Sequence, residues 1–180
     1  MEIRGFQGAD DVPGVIRAHG RAWRTAYAEL LPRRLLETVA VDPSPEDERR
    51  WLESLASNPD GVFVALEDGS AVGFVDVRWG DVETKPFVGP DDAELRAIYV
   101  DPDHWGAGVG TALLERGLEA LPAAVSTIRL EMLAGNEVGK RFYEARGFER
   151  TGTNEIEFGG DVYETDVFTK RLSAVDRREW

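Results

Sequence analysis

Three glycines at alternate positions, Gly106, Gly108 and Gly110, stand directly before an apolar pattern with helical spacing. The first turn of a helix has N–H groups without helical partners and the positive end of the helix dipole, and glycine lets an anion approach the backbone closely. These residues could therefore bind a phosphate. Thr111 replaces the third glycine of the dinucleotide fingerprint, and no Lys-Ser/Thr pair follows as in a P-loop. A phosphate site, a coenzyme site and a plain tight turn all stay open.

Several other chemistries are excluded by the residue types present. Cysteine is absent, so there is no disulfide framework, thiolate metal site or cysteine nucleophile. The two histidines, His19 and His104, are too few and too separated to predict a metal site, and we expect His104 on a loop surface. The Gly-x-Ser-x-Gly pattern of a hydrolase nucleophile is also missing. The sequence thus predicts no metal.

The charge balance limits the partners. The 21 basic and 34 acidic residues give a net charge of −13, which opposes nucleic acid and anionic membrane. This charge either keeps the protein soluble or attracts a cationic substrate, and the sequence leaves both open. The chain begins without a signal-like apolar run, and no stretch approaches the ~18 apolar residues of a membrane span, so we expect a cytoplasmic protein.

The elements that must position the glycines are helices, then a hairpin, then alternating strands and helices. Helix starts are predicted at residues 10–13 and at Ser44-Pro45, where Asp47 completes a capping box. Two further helices are predicted over 108–121 and about 137–146. Strands are predicted at 62–66, 71–77, 94–100, 128–132, 155–158 and 162–169. This order predicts one mixed α/β domain with a mostly antiparallel sheet and a parallel pair where helix 108–121 crosses over.

Two segments around the glycines resemble the signatures of the GNAT acetyltransferases. The predicted strand ends in Val100-Asp-Pro102 and runs into the glycine loop, as in that family's acetyl-coenzyme A motif. Downstream, Asn136 is followed by Phe-Tyr143 and then by Gly147-Phe, which is similar to the family's second signature. The resemblance covers residues 62–170 well, whereas residues 1–60 match only in their general helical layout.

The resemblance implies a single N-acetyltransferase domain over 1–180. Its sheet is mixed, mostly antiparallel and flanked by helices, with a splayed parallel strand pair at the coenzyme site. Residues 62–170 would form the sheet and the acetyl-CoA-binding core. Residues 1–60 would be helices that shape the acceptor pocket.

Acetyl-CoA is the cosubstrate that the resemblance implies. The main chain of the splayed strand and the side chain of Asn136 would bind the pantetheine arm. The glycine loop would bind the pyrophosphate. Lys140 or Arg141 would either contact other phosphates or lie in solvent. Trp105 stands where the family places arginine or glutamine, so its indole either donates one hydrogen bond to a phosphate or covers the loop. The implied coenzyme residues are Ile98, Tyr99, Val100, Trp105, Gly106, Ala107, Gly108, Val109, Gly110, Thr111, Asn136 and Lys140.

The resemblance also implies two catalytic residues. Tyr143 occupies the family's general-acid position, from which a phenol can protonate the leaving sulfur. Glu94 lies near the start of the splayed strand, where several members place a carboxylate base, and partial burial could raise its pKa toward neutrality. The alternatives are a half-buried packing role for Tyr143 and an exposed edge carboxylate for Glu94.

The acceptor pocket is implied at Trp23, Tyr27, Trp79 and the loop 80–92. Four acidic residues of that loop would favour a cationic acceptor, or would simply be solvated: Asp81, Glu83, Asp91 and Asp92. The resulting hypothesis is an N-acetyltransferase that acts on a primary amine, most simply a small cationic molecule. A protein N-terminus or lysine is the second hypothesis, and a non-catalytic acyl-CoA-binding module the third. A homodimer is left open.

Overall fold

The computed structural model describes residues 1–176. Its helices are α1 Val12–Ala26, α2 Arg33–Leu36, α3 Pro45–Ala56, α4 Val109–Glu119 and α5 Glu137–Glu144. Its strands are β1 Glu2–Gly5, β2 Val62–Glu67, β3 Ser70–Arg78, β4 Ala93–Val100, β5 Thr127–Leu133, β6 Glu149–Phe158 and β7 Asp161–Arg171. A single 3-10 turn, Pro102–His104, joins β4 to the glycine loop.

The seven strands form one sheet in the order β1-β2-β3-β4-β5-β7-β6. All neighbours are antiparallel except β4 and β5, which are parallel and joined through α4. A parallel pair needs a crossover of this kind, because a tight turn cannot bring the chain back to the same end of the sheet. The predicted fold class, a mostly antiparallel α/β sheet with one parallel pair, is confirmed.

Residues 1–60 depart from the prediction in one respect, because they are not only helical. Glu2–Gly5 forms an edge strand that pairs antiparallel with β2. The segment is only four residues long and carries two charged side chains, so it has no apolar alternation to mark it. The predicted capping box of α3 is confirmed: Ser44 Oγ accepts from Asp47 N, and the Asp47 carboxylate accepts from Ser44 N.

Apolar side chains pack on both faces of the sheet. On one face, α4 packs its buried residues against β2, β3 and β4, and Gly117 allows a close approach, since a Cβ there would lie 2.7 Å from Val77 Cγ2. On the other face, α1 and α3 cover β2 and β3. The ion pair between Arg21 on α1 and Asp101, 2.7 Å apart, fixes α1 over the end of β4. Helices on both faces of the sheet therefore contact β4.

His19 on α1 is a half-buried neutral side chain in this second layer. Its ring makes edge contacts with the rings of Trp51 and Tyr99, at centroid distances of 4.8 and 4.7 Å. Burial lowers the pKa of His19 from 6.5 to about 4, because the charged ring would lose its hydration. The structure therefore assigns His19 to packing.

We expect the free energy of unfolding to fall as the pH is lowered from 6.5 to 4. Over this range the unfolded chain binds a proton at residue 19 and the folded chain does not, so acid favours unfolding by about 2–3 kcal/mol. Urea unfolding at pH 7 and pH 4.5 measures the difference. His19→Phe should remove most of it, whereas His104→Gln should keep it. An unchanged pH dependence in His19→Phe would contradict the assignment.

Candidate active site

A cavity of about 520 Å³ opens where β4 and β5 separate. The two strands are paired at only two positions, Ala93↔Ile128 and Glu94↔Arg129. The register between β3 and β4 then shifts, which leaves Arg96 without a partner on β3. A bulge of this kind bends its strand, and beyond it residues 95–100 line one wall of the cavity and residues 130–132 the other.

The glycine loop lies at one end of this cavity. Gly106 and Gly108 have φ values of 76° and 82°, in the left-handed region that favours glycine. Gly108 is the N-cap of α4, and no side chain of the described residues caps that helix, so its first N–H groups are available to a ligand. A Cβ at either glycine would meet nothing within 4 Å. Of the predicted loop residues, all but Ala107 line the cavity: Trp105, Gly106, Gly108, Val109, Gly110 and Thr111.

Trp105 fastens the glycine loop to the end of β4. Its indole Nε1 donates to the carbonyl oxygen of Val100 at 2.7 Å, and the side chain is otherwise exposed. The N–H that the sequence left available for a phosphate is therefore already used. Of the two alternatives, the structure favours a ring that covers and braces the loop.

Trp105→Phe should weaken coenzyme A binding about fivefold, because it keeps a ring but removes a hydrogen bond worth ~1 kcal/mol. Trp105→Arg should give no gain in affinity, since it removes the same brace. Titration calorimetry of both variants with coenzyme A measures this. Tighter binding by Trp105→Arg would show that the missing arginine matters more than the brace.

Arg146 places a positive charge beside the start of α4, and sequence reasoning missed it. It follows α5 and lines the cavity. Its guanidinium stacks on the ring of Phe142 at 3.7 Å and donates to the Phe142 carbonyl at 2.7 Å and to the Thr111 hydroxyl. Its buried Nε has no hydrogen-bond partner among the described residues. Because Thr111 belongs to the first turn of α4, this charge lies where an anionic ligand of the glycine loop would bind.

Tyr143 on α5 lines the cavity from the side of the glycine loop. Its ring packs against Phe142 and Phe148, with centroids 5.3 and 5.5 Å away. Burial raises the pKa of the phenol well above its usual value of 10, and the nearby Tyr99 adds to this shift. The hydroxyl is therefore a neutral O–H at neutral pH, which is the form that a proton donor needs.

The opposite side of the cavity is formed by α1 and by the other phenols. Tyr27 and Tyr99 both line the cavity, and burial raises the pKa of each. Trp23 does not line it, but its Nε1 donates to Tyr99 Oη at 3.2 Å, so it positions a residue that does. Asn136 lines the cavity and caps α5 through a 3.0 Å hydrogen bond from Gly139 N to its Oδ1.

Glu131 is the carboxylate that lines this cavity. It points to the sheet face opposite Leu130 and Met132, and its side chain is only 6% exposed. One oxygen accepts from Lys85 Nζ at 2.6 Å and the other from Thr165 Oγ1 at 2.8 Å. In the sequence, Glu131 stands between two apolar residues of a predicted strand. A charged residue at such a position indicates a polar site on one face of the sheet.

The family model described as "Acetyltransferase (GNAT) family" matches residues 22–148. The chain belongs to the GNAT acetyltransferase family. The match includes β4, the glycine loop, α4, β5 and α5, which together form the cavity. The enzyme class that the sequence predicted, an acyltransferase with acetyl-CoA as cosubstrate, is confirmed at the level of the GNAT family.

Individual GNAT relatives agree with this assignment. The uncharacterized N-acetyltransferase YuaI of Bacillus subtilis is 28% identical, over 84% of this chain and 82% of its own length. A PaiA N-acetyltransferase from Thermoplasma acidophilum, solved with coenzyme A, has a TM-score of 0.73 at 20% identity, over 95% of this chain and 98% of that one. A ribosomal-protein-alanine N-acetyltransferase from Brucella melitensis has a TM-score of 0.69 at 27% identity, over 96% and 100%.

The lengths of the GNAT relatives differ. This chain spans 43% of an uncharacterized N-acetyltransferase of Methanocaldococcus jannaschii and between 34% and 49% of the length of several mycothiol acetyltransferases that it matches. The substrates of those longer proteins therefore do not carry over to this chain as findings.

The structure does not bring Glu94, the predicted GNAT base, to the cavity. Its buried carboxylate pairs with Arg96 at 2.9 Å and accepts from Lys85 N at 3.1 Å, and it is not among the lining residues. The alternative of an exposed carboxylate is wrong, since the residue is 1% exposed. A base role for Glu94 stays a prediction, and the geometry favours Glu131.

Other predicted binding residues also lie outside the cavity. Trp79 packs against the core on the α4 face of the sheet, and Lys140 on α5 does not line the cavity. None of the four acidic loop residues lines it either, and Asp92 is paired with Arg129 at 3.0 Å. Lys85 of this loop does not line the cavity itself, but its Nζ contacts the lining residue Glu131, and the sequence analysis did not single it out.

His104 differs from its predicted place on a loop surface. It lies in the 3-10 turn, contacts the Glu67 carboxylate and lines the cavity. Residues 1–176 contain no group of three or more acidic or histidine side chains arranged to hold a metal ion. Within the same part of the chain, no helix is both long and apolar enough to cross a membrane.

Proposed function

We propose that this GNAT domain transfers the acetyl group of acetyl-CoA to the primary amine of a small cationic molecule. One observation carries the proposal: a single cavity joins the glycine loop and Tyr143 on one side to Glu131 and α1 on the other. The acetyl donor and the amine acceptor can thus meet in the gap between β4 and β5. A volume of 520 Å³ is typical of a small-molecule site.

The residues at the glycine loop fit an anionic coenzyme. The first N–H groups of α4, the open space in front of Gly106 and Gly108, and the buried Nε of Arg146 are all groups that a phosphate would complement. The main chain of Ile98, Tyr99 and Val100 and the side chain of Asn136 would hold the arm. Acetyl-CoA supplies an activated acyl group as its thioester.

The proton transfers are then divided between two residues. Tyr143, kept neutral by burial, protonates the sulfur as it leaves. Glu131 binds the ammonium of the acceptor and accepts its proton, which leaves a nucleophilic amine in the cavity. The net charge of −13 assists the approach of a cationic acceptor.

Glu131→Gln and Glu94→Gln form a matched pair, because both remove one buried carboxylate from the same face of neighbouring strands. Glu131→Gln should raise the KM of a cationic amine at least about tenfold, since a charged hydrogen bond is worth ~1.5–3 kcal/mol, and should leave the KM of acetyl-CoA nearly unchanged. Glu94→Gln should instead lower the melting temperature, because Arg96 loses its ionised partner. Steady-state kinetics and thermal unfolding measure the two effects. The reverse pattern, with the acidic limb of the pH–rate profile lost in Glu94→Gln, would restore Glu94 as the base.

A peptide amine is the second candidate acceptor. The likeness to the ribosomal-protein-alanine N-acetyltransferase supports it, because that protein is 27% identical over nearly the whole chain. A panel of small amines and of short peptides with free N-termini, screened for coenzyme A release, separates the two candidates. Turnover of small cationic amines supports our proposal, and turnover restricted to peptides would replace it. No release with any amine, despite coenzyme A binding, would leave only the non-catalytic binding module.

A further inference from the structure

A primary amine of the protein itself already lies beside the carboxylate of the cavity. Lys85, in the loop between β3 and β4, places its Nζ 2.6 Å from Glu131 Oε1. The Lys85 backbone N–H donates to Glu94 Oε2 at 3.1 Å, which anchors the loop to β4 at this residue. The anchored loop therefore directs the Lys85 side chain to Glu131.

The surroundings of Glu131 make Lys85 an exchangeable partner. The second oxygen of Glu131 is held by Thr165 Oγ1, and the carboxylate itself is almost fully buried. The Lys85 side chain, in contrast, is 39% exposed, so the ion pair can be reached from solvent on the Lys85 side. An alkylammonium that approaches Glu131 from outside must compete with an identical group on the protein.

We propose that Lys85 is an internal acceptor, acetylated in cis at the cavity whose lining carboxylate it pairs with. This inference rests on the proposed acetyltransferase function. Glu131 takes one proton from the Lys85 ammonium, and the Nζ lone pair forms a bond to the acetyl carbonyl carbon. The carbon–sulfur bond of acetyl-CoA breaks, and the sulfur gains a proton from Tyr143. The nitrogen then loses its second proton, which restores the Tyr143 hydroxyl, and Glu131 passes its proton to solvent. The products are Nζ-acetyl-Lys85, coenzyme A and one released proton.

Acetylation would change the acceptor site. Nζ-acetyl-lysine carries no charge and cannot pair with Glu131, so the carboxylate becomes free for an external ammonium. Unmodified Lys85 would thus hold the site closed to weak acceptors, and the first turnover would open it.

The composition of the chain makes the test direct, because it contains only three lysines, Lys85, Lys140 and Lys170. The folded protein is incubated with saturating acetyl-CoA and no amine, and peptide mass spectrometry follows each lysine. Lys85 should gain an acetyl group at least about tenfold faster than Lys140 or Lys170, because its proximity to the reacting group gives it a high effective concentration. The rate constant should not depend on protein concentration, since the transfer is intramolecular.

Two variants and one control complete the experiment. Lys85→Arg should keep the charge beside Glu131 and show no acetylation at residue 85, and Glu131→Gln should lower the rate at Lys85 without changing that at Lys140. Equal acetylation of all three lysines, or the same pattern in urea-unfolded protein, would overturn the inference. So would an unmodified Lys85 in protein that thermal shift shows to bind acetyl-CoA. Coenzyme A release with the amine panel reports the proposed function separately: release with Lys85 unmodified overturns this inference alone, and no release with Lys85 unmodified overturns both.

Discussion

Tyr143→Phe is expected to lower kcat about 10²-fold with the affinity for coenzyme A retained, which is the lower end of the range for general acid catalysis. Phenylalanine keeps the ring contacts with Phe142 and Phe148 and removes only the hydroxyl. The loss therefore isolates proton donation from packing. Rapid-quench measurement of the first turnover, beside calorimetry with coenzyme A, would separate the chemical step from binding and product release.

The pH dependence gives the same assignment a second test. Because burial raises the pKa of Tyr143 above 10, the acid form persists as the pH rises, and the rate should show no phenol-dependent decline at or below pH 10. A basic limb with a midpoint well below 10 that disappears in Tyr143→Phe would contradict this environment.

A matched control is available at Tyr163 on β7, which is partly buried but does not line the cavity. Tyr163→Phe should leave kcat within about twofold of the parent, as expected for a residue remote from the reacting atoms. Unchanged first-turnover chemistry in Tyr143→Phe, or an equal loss in Tyr163→Phe, would end the assignment of Tyr143 as the acid.

Gly108→Val is expected to weaken coenzyme A binding by about 10²-fold or more, because it obstructs charged hydrogen bonds worth ~1.5–3 kcal/mol each. The new side chain would meet no protein atom within 4 Å. It would instead occupy the open space in front of the first N–H groups of α4, where a phosphate must approach. Titration calorimetry with coenzyme A measures the change.

Gly69→Val separates this effect from backbone strain. Gly69, in the β2–β3 turn, has a φ of 80°, against 82° at Gly108, and a Cβ there also meets nothing within 4 Å. Both variants should lose a similar ~1–2 kcal/mol of stability, since each forces a branched residue into the left-handed region. Only Gly108→Val should lose affinity for coenzyme A. An equal loss in both variants would mean that destabilisation, and not obstruction, explains the result.

Local rules explain why so much of the fold could be predicted. The Ser44–Asp47 capping box, the β2–β3 hairpin and the glycine loop each depend on residues within a few positions of one another. The two family signatures then placed β4, α4, β5 and α5 in order around one gap. The splay of β4 from β5 was implied by the same resemblance, and it begins where the unpaired Arg96 marks a bulge in β4.

The parts that failed depend on distant neighbours. Glu94 and Glu131 are both carboxylates on central strands, and only the tertiary structure shows that Arg96 covers one while the other lines the cavity. The indole of Trp105 is a different case, because Val100 is only five positions away and the 3-10 turn between them brings its carbonyl to the indole. Arg146 was missed because its role comes from Thr111, 35 positions earlier in the chain. The edge strand β1 has too few residues to carry any periodic signal.

The short pairing of β4 with β5 has a consequence for how the sheet holds together. After the pairs at residues 93 and 94, peptide groups on the inner edge of each strand face a cavity instead of a neighbouring strand. Amide protons there should exchange rapidly with deuterium in the free protein, in contrast to those shared by β2 and β3. A bound pantetheine arm would act as a substitute strand that ties the β1–β4 half to the β5–β7 half. Binding of the coenzyme would then slow amide exchange along both edges. The gap that admits the substrates therefore also makes the rigidity of the sheet depend on whether the substrates are bound.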